Sequence, residues 1–227
     1  MRLQTLWDFF RREIFTIPSS DRLFNQYRDR DRRVDLPDAA EMRRKNLYNY
    51  FESFVQRPPV MVIGEAPGPW GCRFSGIPFT GERQLVMNEL PFQGRRSSTD
   101  NPTLSVRKST PYVSNSARVF WGTMKKYHPE FLVWNCVPIH PYKKGTILSV
   151  RTPTIVEVLH YSGILSEILS LLKPEKIIAL GRKAEFSLHQ LGIPCSYVRH
   201  PSQGGAARFK KGIEQIFKKR VRDRSKV

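Results

Sequence analysis

The sequence predicts an α/β fold, a three-layer α-β-α sandwich around a central four-stranded parallel sheet. Three short apolar runs, at residues 60–63, 131–135 and 176–181, have strand length and are rich in aliphatic and aromatic residues, and residues 195–199 read as a fourth, more mixed strand. Segments with helical spacing precede and separate them, and strands that alternate with helices and are apolar on both faces build covered parallel sheets. The 227 residues suffice for one well-buried domain with an additional arm.

The first 40 residues hold a short helix, LWDFFRREIF, and then the charged run from Asp29 to Arg33. They read as a basic arm packed on or flanking the domain, which itself spans residues 41–218. In the next helix Leu47, Tyr50, Phe51 and Phe54 share one face, and Pro58 and Pro59 end it before the first strand. Residues 82–90 are expected to form a helix. Residues 94–116, rich in Ser, Thr, Asn and Arg, are expected to form an exposed loop. Thr154 and Glu157 fit a capping box at the start of a helix that runs to about Leu172 and stops at Pro174. A helix over residues 182–191, closed by Gly192, follows the third strand. The last helix places Phe209, Ile213, Ile216 and Phe217 on one face, and residues 219–227 form a basic tail.

Charge narrows the class of partner. Lys and Arg number 38 against 20 Asp and Glu, a formal net charge of +18. Such an imbalance favours a polyanion, and nucleic acid fits better than a membrane because no long apolar run or lipid-facing basic helix is present. Cys72, Cys136 and Cys195 are scattered, without a C-x-x-C pair, which points to a reduced, cytoplasmic setting, associated with the nucleoid in a prokaryote. The five histidines lack metal-ligand spacing, so no metal is expected, and three separated cysteines do not make a four-thiolate cluster site.

The densest signal is VIGEAPGPWGCRFSGIPFTGE, residues 62–82, with five glycines and three prolines directly after a buried strand. A loop of this kind can bring backbone N–H groups close to a flat ligand. In parallel sheets the ligand site lies beyond the carboxyl ends of the strands. Three segments follow strand ends and are expected to converge: residues 65–79, 135–142 and 200–208.

These segments carry a resemblance. GEAPG followed by GIPFTGE, then Asn135 in VWNCVPIHP, then HPS at His200, is similar to the uracil-DNA glycosylase superfamily. GEAPG resembles the first motif of the iron–sulfur members. The longer loop resembles that of the single-strand-selective members, and GRKAEFSLHQLG resembles the same region of both. The likeness covers roughly residues 45–217. It implies hydrolysis of the N-glycosidic bond of uracil, or a related deaminated base, flipped out of single- or double-stranded DNA by a monomeric enzyme.

The resemblance assigns roles. Phe79 matches the stacking aromatic, and Gly64 and Ala66 line the base pocket beside it. Asn135 can accept from N3–H and donate to O4 of uracil. His200 donates to O2 as negative charge develops on the leaving base. Pro67, Gly68, Thr80 and Ser202 grip phosphates, while Gln203, Gly204, Gly205 and Arg208 follow or enter the opened duplex. Where the best-known members carry Asp and the single-strand-selective members Asn, this chain has Ala66, which leaves Glu65 as the nearest carboxylate to orient water. The cluster cysteines are missing too, so no cofactor carries over. The other reading of Ala66 is a non-catalytic nucleic-acid-binding protein on the same fold.

Overall fold

The computed structural model describes residues 3–99 and 111–224. It opens with α1 (Gln4–Phe9), a π-helical turn (Phe10–Ile14), β1 (Leu23–Phe24), α2 (Ala39–Glu52), β2 (Val60–Gly64), α3 (Cys72–Ser75) and α4 (Glu82–Val86). There follow α5 (Asn115–Met124), β3 (Phe131–Asn135), β4 (His140–Pro141), α6 (Ile155–His160) and α7 (Ser162–Leu172). The chain ends with β5 (Lys176–Leu180), α8 (Arg182–Gln190), β6 (Ser196–Val198) and α9 (Ala206–Arg224).

These four runs form one sheet in the order β3-β2-β5-β6, all parallel, flanked by helices. β2 is central. It pairs with β3 from Val60↔Phe131 to Gly64↔Asn135 and with β5 from Val60↔Lys176 to Ile63↔Ala179. Every residue of β2 and β3 is buried, which is why both read as unbroken apolar runs and not as alternating ones. Parallel pairing brings Gly64, Asn135, Leu180 and Val198 to the same edge, so the loops after them share one face.

The first 36 residues contribute to the core. Leu3, Leu6, Phe9, Phe10 and Ile14 are buried in the main cluster, and the Phe10 ring lies 4.4 Å from that of Trp134 on β3. Burying each such side chain contributes about 1.5–3 kcal/mol. β1 then pairs antiparallel with β4, Leu23↔Pro141 and Phe24↔His140, which stitches the N-terminal segment to the loop beyond β3. Gln26 adds both halves of its amide, Nε2 donating to Pro138 O (2.9 Å) and Oε1 accepting from His140 N (3.2 Å).

Beneath the loop after β2 lies a buried charge network. Asp35 accepts from the guanidinium groups of both Arg43 and Arg73, and all three side chains are fully buried. Arg73 Nη2 to Asp35 Oδ2 measures 2.9 Å, and the Arg73 guanidinium stands over the rings of Phe24 and Phe74 at 4.7 and 4.4 Å. Burial and the neighbouring Arg73 push the Arg43 pKa down to about 10. Glu82, also fully buried, accepts from Ser97 N (2.5 Å), Ser98 N (3.0 Å) and Ser98 Oγ (2.6 Å).

Three expected elements differ. The helix after Thr154 keeps its capping box, with Thr154 N to Glu157 Oε2 at 2.7 Å and Glu157 N to Thr154 Oγ1 at 3.1 Å. It breaks at Tyr161 (φ −93°, ψ 5°) into α6 and α7, because buried Tyr161 is followed by Ser162 and Gly163, both weak helix formers. The helix at residues 82–90 ends after Val86, where Asn88 takes φ +54°. The polar stretch 94–116 is not uniformly an exposed loop. Ser97 and Ser98 are buried, Ser98 bridges to Asp35, and α5 begins at Asn115. Residues 100–110 of that stretch, and 225–227 of the basic tail, lie outside the described residues.

Candidate active site

The loop leaving β2 and the end of β3 meet at Gly64, and the segment after β6 joins them through His200 against Phe79. A Cβ on Gly64 would lie 2.4 Å from Phe79 Cε2 and 2.7 Å from Asn135 Oδ1, so only glycine lets these two side chains approach. Phe79 is half-buried and takes φ +52°, a strained setting for an aromatic residue, which the tight Ile77-Pro78-Phe79-Thr80 turn enforces. One neighbour is the Phe120 ring of α5 at 4.8 Å and 23°, and another is the imidazole of His200 at 5.3 Å. Asn135 is buried, and among the described residues its amide makes no hydrogen bond to protein. An amide of that kind is available to a ligand.

The imidazole of His200 has a defined tautomer. Nδ1 receives the backbone N–H of Ser202 at 3.1 Å and lies 2.7 Å from Ser202 Oγ. Because a backbone N–H only donates, Nδ1 carries the lone pair, the Ser202 hydroxyl donates to it, and Nε2 holds the proton. Burial, with help from Arg199, pushes the His200 pKa down to about 4, so the ring is neutral at higher pH. The turn beneath it has φ +50° at Gln203 and +73° at Gly204. A Cβ on Gly205 would sit 2.0 Å from His200 O, so the residue must be glycine.

Glu65 sits two residues past Ile63, which pairs with Ala179, so it projects beside Gly181 and the first turn of α8. Burial raises its pKa above the ordinary carboxylate value, against the opposing pull of the Lys183 ammonium and a hydrogen bond from Thr152. Its backbone carbonyl accepts from Val137 N (3.0 Å) and Cys136 Sγ (3.0 Å), which fastens the first loop to the second. Ala66 is half-buried beside it.

The other expected site residues divide into two groups. Gly68, Gln203, Gly204 and Arg208 are exposed on the same side as His200 or the first loop, and Ser202 is partly buried because its hydroxyl serves His200. Thr80 faces inward: it is fully buried, its hydroxyl donates to Pro78 O (3.1 Å) and accepts from Trp121 Nε1 (3.0 Å). It therefore shapes the Phe79 turn and is not accessible to a phosphate. Pro67 is buried, and its carbonyl meets His140 Nδ1 at 2.7 Å while His140 Nε2 meets Ile147 O at 2.8 Å. Phe120, Lys183, Thr152 and His140 are parts of this site that sequence reading does not single out. Phe120 lies on a helix hidden behind a polar stretch, Lys183 and His140 lie inside quoted motifs without being singled out there, and Thr152 lies in none.

Among the described residues, no group of three or more His, Cys, Asp or Glu is placed to hold a metal ion, and no helix is long and apolar enough to cross a membrane.

No curated protein sequence matches the chain. The wild-type SMUG2 of Pedobacter heparinus, a crystal structure, is similar in fold with a TM-score of 0.64 at 13% identity, over 98% of this chain and 97% of that one. The model of the uracil DNA glycosylase superfamily matches residues 51–222, a span that contains Gly64, Phe79, Asn135 and His200. With most of its length matched and its three loops converging at the carboxyl edge of a four-stranded parallel sheet, the chain belongs to the uracil-DNA glycosylase superfamily.

Proposed function

We propose that the chain is a monofunctional DNA glycosylase that removes uracil, or a related deaminated base, from DNA and leaves an abasic site. The observation that carries this reading is the cluster of Phe79, Asn135 and His200 around Gly64. It offers an aromatic face, an uncommitted amide and a neutral Nε2–H donor to one planar ligand. A base inside a duplex cannot reach such a recess, so it enters flipped out of the stack.

In this reading water forms the new bond to C1′ as the C1′–N bond breaks. The bonding electron pair departs with the base and spreads onto its carbonyl oxygens, where the His200 Nε2–H stabilises it. Glu65 orients the water and receives its proton. With Ala66 at the neighbouring position, stabilisation of the leaving base supplies most of the acceleration. Ser202, by donating to Nδ1, keeps the required proton on Nε2.

The pH profile of single-turnover excision checks the division of labour. A carboxylate whose pKa is raised loses its charge as pH falls, so the acid limb should lie above the ordinary carboxylate range. His200, neutral above about pH 4, should add no limb near neutrality. Glu65→Gln should remove that limb and slow excision by about 10²-fold, no more than the loss of His200. Near-parental excision by Glu65→Gln would remove the water role. Gly64→Ala tests the recess. Its methyl group would meet Phe79 and Asn135, so preference for uracil-containing over undamaged DNA should collapse, at a stability cost of about 1–3 kcal/mol from overpacking.

The function is tested with single- and double-stranded oligonucleotides carrying one uracil, hypoxanthine or xanthine, followed by alkali. Scission at the modified base is the expected result. Tight, salt-dependent binding with no abasic product from any of these bases would establish the non-catalytic alternative, to which Ala66 in the motif belongs.

A further inference from the structure

We infer that the N-terminal segment carries a second DNA contact, a groove that seats backbone phosphates of the strand flanking the flipped nucleotide. The inference rests on the glycosylase reading and adds a site outside residues 51–222, the span matched by the family. The groove encloses about 540 Å³ between residues 28–32 and the first turns of α2, and Arg28, Arg30, Arg32 and Arg44 line it. Arg28, Arg30 and Arg32 are exposed, and among the described residues neither Arg30 nor Arg32 has an ion-pair partner.

Three carboxylates share the groove, and each is accounted for. Asp29 accepts from Ser19 Oγ at 2.7 Å and lies 4.0 Å from Arg28 Nε. Asp38 and Glu41 stand at the first turn of α2, where negative charge complements the helix dipole. Arg44 Nη1 holds Tyr27 O at 2.5 Å, which fixes one wall. Four arginines against three carboxylates leave the groove with a net positive charge, and among the described residues Arg30 and Arg32 are the two of those four with neither a hydrogen bond nor an ion pair to the protein.

Location ties the groove to the candidate active site. The Tyr27 hydroxyl, next to Arg28, donates to Gly76 O at 2.7 Å, three residues before Phe79. The same segment is stitched to the loop after β3 through Phe24↔His140 and Gln26. It therefore docks on the loops of β2 and β3, whereas His200 and the 202–208 segment follow β6 at the opposite edge of the sheet. A strand with one nucleotide turned into the recess must leave it in two directions. In this proposal Gln203 to Arg208, beyond β6, take one of them, and the arginine groove, on the segment docked to the loops of β2 and β3, takes the other.

The test compares Arg30→Ala/Arg32→Ala with the parent chain, measuring affinity for uracil-containing DNA across a salt series. Each phosphate contact contributes about 0.7–0.9 to the slope of log Kd against log salt, so loss of two should lower the slope by roughly 1.4–1.8. Binding at low salt should weaken several-fold, Arg30→Glu/Arg32→Glu should weaken it further, and Arg30→Lys/Arg32→Lys should keep the parental slope. On a trinucleotide too short to reach the groove, all four proteins should bind alike. Excision at saturating enzyme should be unchanged in the alanine variant. Identical slopes for parent and alanine variant, or a lysine variant that behaves like the alanine one, would overturn the groove. A parent chain that excises DNA normally with such slopes would leave the glycosylase reading standing, whereas a parent that neither binds nor excises would remove both.

Discussion

Replacing Asp35 with alanine should cost about 3–5 kcal/mol of folding free energy and lower the thermal midpoint by roughly 6–20 °C. The carboxylate is fully buried between two fully buried guanidinium groups, so its removal leaves two positive charges facing each other with no anion bonded to either, and Glu82 only at longer range to offset them. The pair as a whole need not stabilise the fold relative to an apolar core, but breaking it is costly because the desolvated partner remains. Arg33→Ala provides the contrast. Its partner Asp31 lies nearby at 2.5 Å, but the Arg33 side chain is 68% exposed, and the change should cost no more than about 1 kcal/mol. Denaturation curves of the two variants give the comparison. Because Asp35 holds Arg73 on α3 and Arg43 on α2, the loss should also loosen the loop that carries Phe79.

His200→Ala should leave the fold intact and lower single-turnover excision about 10²- to 10³-fold, the usual consequence of losing one preorganised donor to developing negative charge. The effect should appear in the rate at saturating enzyme more than in affinity for DNA, since the donor acts on charge that forms only as the bond breaks. Ser202→Ala should have a smaller effect of the same kind. The backbone N–H of residue 202 would still hold Nδ1, and only the hydroxyl contribution would vanish.

The centre of the sheet was legible in the sequence because β2 and β3 are buried on both faces, and an apolar run such as Phe131 to Asn135 has few other interpretations; the edge strand β6, with Tyr197 exposed, gave a weaker signal. The three loops followed from the rule that parallel strands present their carboxyl ends to ligands, and Phe79, Asn135 and His200 followed from motifs within those loops. What remained hidden was hidden by charge and by context. Asp35, Arg43 and Arg73 look like surface residues in a chain with 38 Lys and Arg, and only the fold places them at zero exposure. Thr80 reads in the sequence as a phosphate-binding hydroxyl, but it is buried and bonded to Trp121, on a helix that the polar stretch before it conceals. Phe120 went unnoticed for the same reason, although it forms one wall around Phe79. The break at Tyr161 escaped because Leu165, Ile168, Leu169 and Leu172 continue an apolar face on the far side of it.

The most direct measurement is release of free uracil from a single-uracil oligonucleotide by excess protein, quantified against abasic sites in the same reaction. The expected result is one uracil released per abasic site, with both products falling together in His200→Ala. Stable binding of the uracil-containing strand with neither product would contradict a hydrolytic site at Phe79, Asn135 and His200.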